Sequence, residues 1–394
     1  MRRRALLASA ATVMAAATAG CVGGSNRSLP SAPTGDWTHR AHDARNTGAA
    51  DASVPPRVSR AWARGAAGTA TPLIDGDTVY AVDDEATALD ARTGEEQWAT
   101  DLPETADTTP ALTDDGLLVA AEDQLLALDR DDGEEQWGID LARPVDGALT
   151  APPDPGVVTV PLGSRRGADG LVAYDVETGD RLWSEGTLSP RPTAIVDGAV
   201  FVTGYQQDGD TGVLRRLSAA DGERDWAVEL DGPDTPPVVA DVGLLVADGG
   251  TLAVHDREDG SRERPLGSFG DRIQATPAVT DGTAFVTSDQ GDLVAVDVDD
   301  GTERWRRAVG VVAGTGVGVG ENVVVASVTN LPETSLAGVA AYWREDGTLR
   351  WGYEIEGFDA YPSTAPVLAE GAVYLTSNER SGVVALGDLP SRED

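Results

Sequence analysis

Residues 109–141 read TPALTDDGLLVAAEDQLLALDRDDGEEQWGIDL, and four short apolar runs can be picked out of them. Residues 109–112 are the first, broken by Thr113, Asp114, Asp115 and Gly116. Residues 117–121 are the second, broken at Glu122 and Asp123. Residues 124–129 are the third, ended by Arg130, Asp131, Asp132 and Gly133. Residues 134–141 are the fourth and carry Trp137. Short apolar runs punctuated by Asp and Gly predict four antiparallel strands, termed A to D.

The second half of this unit recurs along the chain as a small residue, an apolar residue, Asp, three residues, Gly, three residues and Trp. The copies span 88–98, 127–137, 173–183, 216–226, 254–264, 295–305 and 341–351. Their glycines are Gly94, Gly133, Gly179, Gly222, Gly260, Gly301 and Gly347, at intervals of 39, 46, 43, 38, 41 and 46 residues. A period near forty with four strands per repeat is the pattern of a β-propeller, one blade per repeat. Strand C ends near Asp90, Asp129, Asp175, Ser218, Asp256, Asp297, Trp343 and Leu386. The last copy, 382–389, runs into Pro390 without reaching a Trp. Residues 57–64 carry Trp62 with no A, B or C strand before them. The expected fold is therefore all-β: an eight-bladed propeller of four-stranded antiparallel blades, closed by N- and C-terminal strands. Closure removes exposed sheet edges.

Each repeated residue has a mechanical role. Asp at the end of strand C accepts backbone N–H bonds within the turn. Gly supplies positive φ and closes the C–D hairpin. Trp fills the gap between blades and donates to a neighbouring carbonyl. The expected docking indoles are Trp62, Trp98, Trp137, Trp183, Trp226, Trp305 and Trp351. Ser218 and Trp343 replace the Asp in two copies, and Arg264 replaces the Trp in one. The Arg264 seam is expected to be the loosest, and a Trp restored there to be tolerated or stabilising.

These motifs resemble the pyrroloquinoline-quinone (PQQ) repeat with its tryptophan-docking motif, over roughly residues 36 to 390. That family includes quinoprotein alcohol dehydrogenases and BamB-type propellers of bacterial outer-membrane assembly, so the resemblance implies a scaffold and not one activity. It implies PQQ in the central funnel for the enzymes, commonly with calcium, an Asp base and a disulfide between adjacent cysteines. Here Cys21 is the single cysteine, so that disulfide cannot form. No cofactor, metal or catalytic residue is expected; PQQ and calcium are the two considered. A PQQ-dependent alcohol or sugar dehydrogenase is the rival reading, and a carbohydrate- or peptide-binding sensor the third.

Composition narrows the setting. The chain has 30 basic and 66 acidic residues, a formal charge of −36, and no lysine at all. Acid spread along a chain without lysine suggests an extreme halophile surface, of haloarchaeal type, because molar salt shortens the Debye length to ~3 Å. Nucleic acid is excluded as a partner, since phosphate binding needs basic patches.

Residues 1–20 read as an export signal. Arg2, Arg3 and Arg4 precede an apolar stretch, 5–19, in a twin-arginine-like arrangement. Thr18-Ala19-Gly20-Cys21 resembles a lipobox and makes Cys21 the expected lipidation site. Residues 21–35 read as a flexible tether, 36–56 as a leader that packs over one end of the ring, 57–390 as the propeller and 391–394 as a tail. The expected address is extracytoplasmic, lipid-anchored to the cell membrane through Cys21, as a monomer.

A–B and C–D turns share one face of such a ring; B–C and D–A loops share the other. The B–C loops lengthen at 163–170, 205–212, 328–338 and 377–382, in blades three, four, seven and eight. Loops on a rigid scaffold commonly carry binding. Arg165, Arg166, Tyr205, Gln206, Asn330 and Arg380 are the candidate contacts for a protein or peptide partner on this face. His39, His42 and His255 are expected to be solvated or capping groups, not metal ligands.

Overall fold

The computed structural model describes residues 26–389 apart from 65–69, 115, 153, 155, 164–169, 207–208, 210, 234, 312–313, 330, 332–335, 356–361 and 378–381. Eight antiparallel sheets form the eight blades of a β-propeller. The unit 109–141 folds as Ala111–Leu112, Gly116–Ala121, Gln124–Asp129 and Glu135–Asp140, paired in sequence order. Strands B and C are buried along most of their length in every blade, because each sheet face packs on a neighbouring blade. Strand D alternates buried and exposed residues, as an outer edge with one covered face does.

The ring closes across the termini. Ser59–Arg64 pairs antiparallel with Val383–Gly387, setting Trp62 opposite Ala385. Blade one gains an inner strand, Asp36–Trp37, paired with Leu73–Asp75. In blade three the inner strand shrinks to a bridge between Thr150 and Thr159. Blade four is widened by Leu188–Pro190, which pairs with the far end of Ala199–Gln206.

The seams between blades repeat one construction. Indole Nε1 donates to the carbonyl just after strand C of the next blade. The pairs are Trp62 to Ala91 (3.1 Å), Trp98 to Arg130 (2.9 Å), Trp137 to Val176 (3.0 Å), Trp183 to Ala219 (2.7 Å), Trp226 to Arg257 (3.2 Å) and Trp305 to Arg344 (2.8 Å). Blade eight has no C–D glycine turn, and Trp351 donates instead to Pro55 O of the leader, at 2.9 Å. In the six seams other than that of Trp351, the turn glycine of the next blade lies directly beneath the indole. Gly94 has φ +69°, and a Cβ there would meet the Trp62 ring at 2.6 Å. Glycine is thus required twice over, for backbone conformation and for close approach.

The Arg264 seam differs from the expectation. Arg264 Nε and Nη2 both donate to Val298 O, at 3.1 and 3.0 Å, the carbonyl an indole would take. Leu266 is buried there, and its backbone and Pro265 O stand against Gly301 where other seams hold a ring. The seam is filled by the chain itself and bridged by a guanidinium fork, so the missing indole leaves no gap.

Residues 26–35 do not behave as a tether. Leu29 is 1% exposed. Its N–H donates to Arg92 O, Arg27 N–H donates to Ala61 O, and Arg92 Nε returns a bond to Leu29 O. The apolar Leu29 side chain covers Gly387 at the closing blade. Cys21, the twin arginines and the remaining tether residues 21–25 lie outside the described residues.

Candidate functional site

The candidate site is the bore of the ring. Every inner strand presents a free edge to the bore, and unpaired N–H groups there need acceptors. The leader supplies them one blade at a time. Thr38 O accepts from Leu112 N in blade two, and His39 Nε2 accepts from Ala151 N in blade three, at 3.1 Å. Ala44 O, Arg45 O, Thr47 O and Gly48 O accept in turn from Ile195, Val239, Val279 and Val319, in blades four to seven. Ser53 O accepts from Gly371 N in blade eight. Asn46 Nδ2 donates to both Thr193 O (2.9 Å) and Pro237 O (3.0 Å), clamping blades four and five. The backbone acceptors meet the inner strands along their length and at their A–B turns, and Asn46 reaches the residues that precede them, so the leader fills the bore from the A–B side.

Two leader groups are electrostatically tuned. His39 is buried, and desolvation lowers its pKa to about 4, against the opposing field of Asp43. It is neutral near pH 7, with Nε2 accepting from Ala151 and Nδ1 facing Thr38 Oγ1 at 2.8 Å. Burial pushes the Asp43 carboxyl up, but bonds from His42 and Thr47 outweigh it and hold the carboxyl below its ordinary range. Asp43 accepts from Arg45 N, Thr47 N and Thr47 Oγ1, closing a tight leader turn. His255 is also buried, and burial lowers its pKa while its Nδ1 faces Gly260 O at 3.0 Å. Of the solvated and capping roles expected of these histidines, His39 and His255 take the capping one, each buried with a ring nitrogen on a backbone group. Both stand where sheet packing has excluded water.

Below the leader runs a girdle of threonines that the spacing analysis missed. Thr71, Thr109, Thr150, Thr193, Thr235, Thr276, Thr315 and Thr364 precede the inner strands of the eight blades. Hydroxyls link neighbouring blades here: Thr203 Oγ1 to Thr235 O (2.7 Å), Ser327 Oγ to Thr364 O (3.0 Å) and Thr376 Oγ1 to Ala70 O (2.9 Å). The recurrent Thr-Pro at 71–72, 109–110, 235–236 and 276–277 was the available signal. Within the bore a polar cavity of about 120 Å³ remains, bounded by Trp37 and Arg40 of the leader and by girdle residues.

The candidate partner loops are placed only in part. Tyr205 and Gln206 are not in a loop: strand B of blade four runs on through Gln206, and strand C begins at Gly212. Pairing with Leu188 and Ser189 extends that strand, and Gln206 N–H donates to Thr211 O. Arg165, Arg166, Asn330 and Arg380 lie outside the described residues. Among the described residues, no cluster of three or more His, Cys, Asp or Glu is arranged to hold a metal, and no helix is long and apolar enough to cross a membrane.

Comparison with known proteins follows the same lines. A family model for the outer membrane protein assembly factor BamB matches residues 40–264, 122–353 and 261–389. BamB of Yersinia pestis is 31% identical over 160 residues, which span 37% of this chain and 41% of that protein. The matched stretch is thus about two fifths of that relative's length. The crystal structure of BamB from Moraxella catarrhalis superposes with a TM-score of 0.65 at 17% identity, covering 86% of this chain and 99% of that one. The quinohemoprotein alcohol dehydrogenase of Comamonas testosteroni gives 0.69 at 16% identity, covering 91% and 82%. At such identities the two superpositions speak for the propeller fold alone. With the family model spanning nearly the whole ring, the chain belongs to the BamB-type family of PQQ-repeat propellers.

Proposed function

We propose that this protein is an extracytoplasmic, non-catalytic scaffold, anchored by lipid on Cys21, that docks a protein partner on its B–C and D–A loop face. The observation that carries the reading is the leader. It covers the A–B turn end of the bore and leaves the opposite face, with the lengthened loops of blades three, four, seven and eight, as the surface for a partner. The assembly-factor name of the relatives supports a protein partner. It does not carry over the outer-membrane task, which requires an outer membrane. The cavity enclosed in the bore is about 120 Å³, below the ~300–1,000 Å³ usual for cofactor-sized ligands, while the open mouth beside Thr38, His39 and Arg45 is larger, about 830 Å³. The lysine-free, acid-rich composition supports a halophilic setting.

Photo-crosslinking in native membranes tests the reading. A crosslinker at Gln206 should capture a protein, and one at Asp241, on an A–B turn, should not. Cys21→Ser should move the protein into the medium with its adduct lost. Saturable PQQ binding in the presence of calcium, with dye-linked alcohol oxidation and no adduct from Gln206, would establish the dehydrogenase instead.

A further inference from the structure

The outer strands of the blades change sign around the rim. In blades one to four, Glu96–Asp101, Glu135–Asp140, Arg181–Glu185 and Arg224–Leu230 carry seven acidic residues against two arginines. In blades five to eight, Arg262–Ser268, Glu303–Ala308, Leu349–Glu354 and Ser59–Arg64 carry three acidic residues against eight arginines. The outer strands of half the ring are thus net positive, on a chain of formal charge −36. The closing strand, Ser59–Arg64, holds no carboxylate at all. Three of these arginines face neutral partners. Arg64 Nε donates to Gly94 O (2.8 Å), Arg307 Nε donates to Gly347 O (3.0 Å), and Arg350 stacks on Trp343, 4.6 Å from the ring centroid. A guanidinium stays protonated, so each charge remains.

Two further observations fall on the same half. Among the described residues four large apolar side chains are exposed, and three of them, Leu336, Trp343 and Leu349, belong to blade seven. The described chain also starts there. Asn26 Oδ1 accepts from Ala63 N (3.4 Å) and Arg27 N–H donates to Ala61 O (2.7 Å), both on the closing strand of blade eight. Asn26 stands five residues beyond Cys21, and five extended residues reach no farther than ~18 Å. A lipid on Cys21 therefore holds the basic rim close to the bilayer.

We propose that the rim of blades five to eight rests on a membrane surface of anionic phosphate headgroups, so that the ring stands on edge. This rests on the Cys21 anchor of the function proposed above and is independent of its protein partner. A single acyl chain holds a protein only reversibly, and a basic patch is a second signal that makes anchoring stable. Arginine forks match phosphate oxygens, and an exposed Trp suits the boundary between headgroups and acyl chains. The acidic half of the rim is repelled by the same headgroups and turns away. In molar salt charges act across only ~3 Å, so the rim must touch the headgroups. A ring on edge leaves its loop face open to a partner.

The test compares two similarly exposed positions on opposite blades, Leu349 and Leu182. Leu349→Cys or Leu182→Cys is introduced into the full lipidated chain, whose Cys21 thiol is blocked, and labelled with a fluorophore. The protein is reconstituted on vesicles of phosphatidylcholine and phosphatidylglycerol carrying a headgroup quencher. Quenching should be several-fold stronger at 349 than at 182. The difference should shrink on phosphatidylcholine alone, and also in Arg64→Gln/Arg350→Gln, which stays on the vesicles through Cys21. Equal quenching at the two positions, or a difference that ignores phosphatidylglycerol, overturns the proposal. So does a benzophenone at 349 that labels an acidic protein in native membranes in place of lipid. Mass spectrometry of the chain reports the anchor separately: an unmodified Cys21 defeats the anchor and the tether argument together, whereas equal quenching of the lipidated chain defeats the rim alone.

Discussion

The outer seams and the bore solve the same problem, joining eight sheets, by opposite means. At the rim, one construction is repeated: an indole over a glycine, donating to the next blade's carbonyl. In the bore, one non-repeating segment visits every blade and gives each a different acceptor or donor. A repeated solution costs the sequence one motif and tolerates local exceptions. A threaded solution concentrates many blades' edge bonds in a few leader residues, so a single change there reaches several blades.

The largest effect should come from a rim indole. Trp183 is buried, and its Nε1 makes a 2.7 Å bond to Ala219 O. Trp183→Ala should cost ~3–5 kcal/mol, in the range of core Trp truncations. Chemical denaturation checks it. A loss under ~1 kcal/mol would mean that rim seams are cushioned by their neighbours.

The next concerns the bore and pH. His39 titrates at 6.5 when unfolded and about 4 when folded. The unfolded chain binds the proton more readily, so stability is complete above pH 6.5, falls as pH drops towards 4, and levels off below that. The span corresponds to ~3 kcal/mol. Asp43 acts in a separate, lower window, because its folded pKa lies below its ordinary value and its contribution is lost only as pH falls through that range. His39→Gln, which keeps an acceptor for Ala151 N–H, should flatten the loss between pH 6.5 and 4. An unchanged pH profile in that variant would assign the effect to other groups.

The smallest effect separates motif from context. Arg264→Trp restores the repeat but removes two bonds to Val298 O and drives a ring into space held by Pro265 and Leu266. It should destabilise by ~1–3 kcal/mol, as overpacking does. This reverses the expectation from the motif alone. A stabilised variant, measured by the same denaturation, would show that the backbone at 265–266 yields.

Blade number and closure could be read from residues 57–64 and 382–389, because strand order in a propeller is local in sequence and the missing Trp at one end matches the extra Trp at the other. The glycine and Trp positions were readable for the same reason: a turn and its neighbouring strand lie within a dozen residues. The Arg264 seam was not, because what fills it is the backbone of 265–266 against the next blade. The strand through Tyr205 and Gln206 was not, because its partner, Leu188–Pro190, has no strand-like pattern of its own.

What the amino-acid sequence determined by itself was the period, the eight blades, the all-β class and the acid-rich, lysine-free character. Each follows from local turn chemistry or from composition, and neither needs a partner at long range. Only the tertiary structure decided the path of residues 36–56 through the bore, the burial of His39 and the unpaired Trp37 indole. Those depend on which edges lie free once the ring has closed. A free edge is a property of the assembled sheets, and no short stretch of sequence records it.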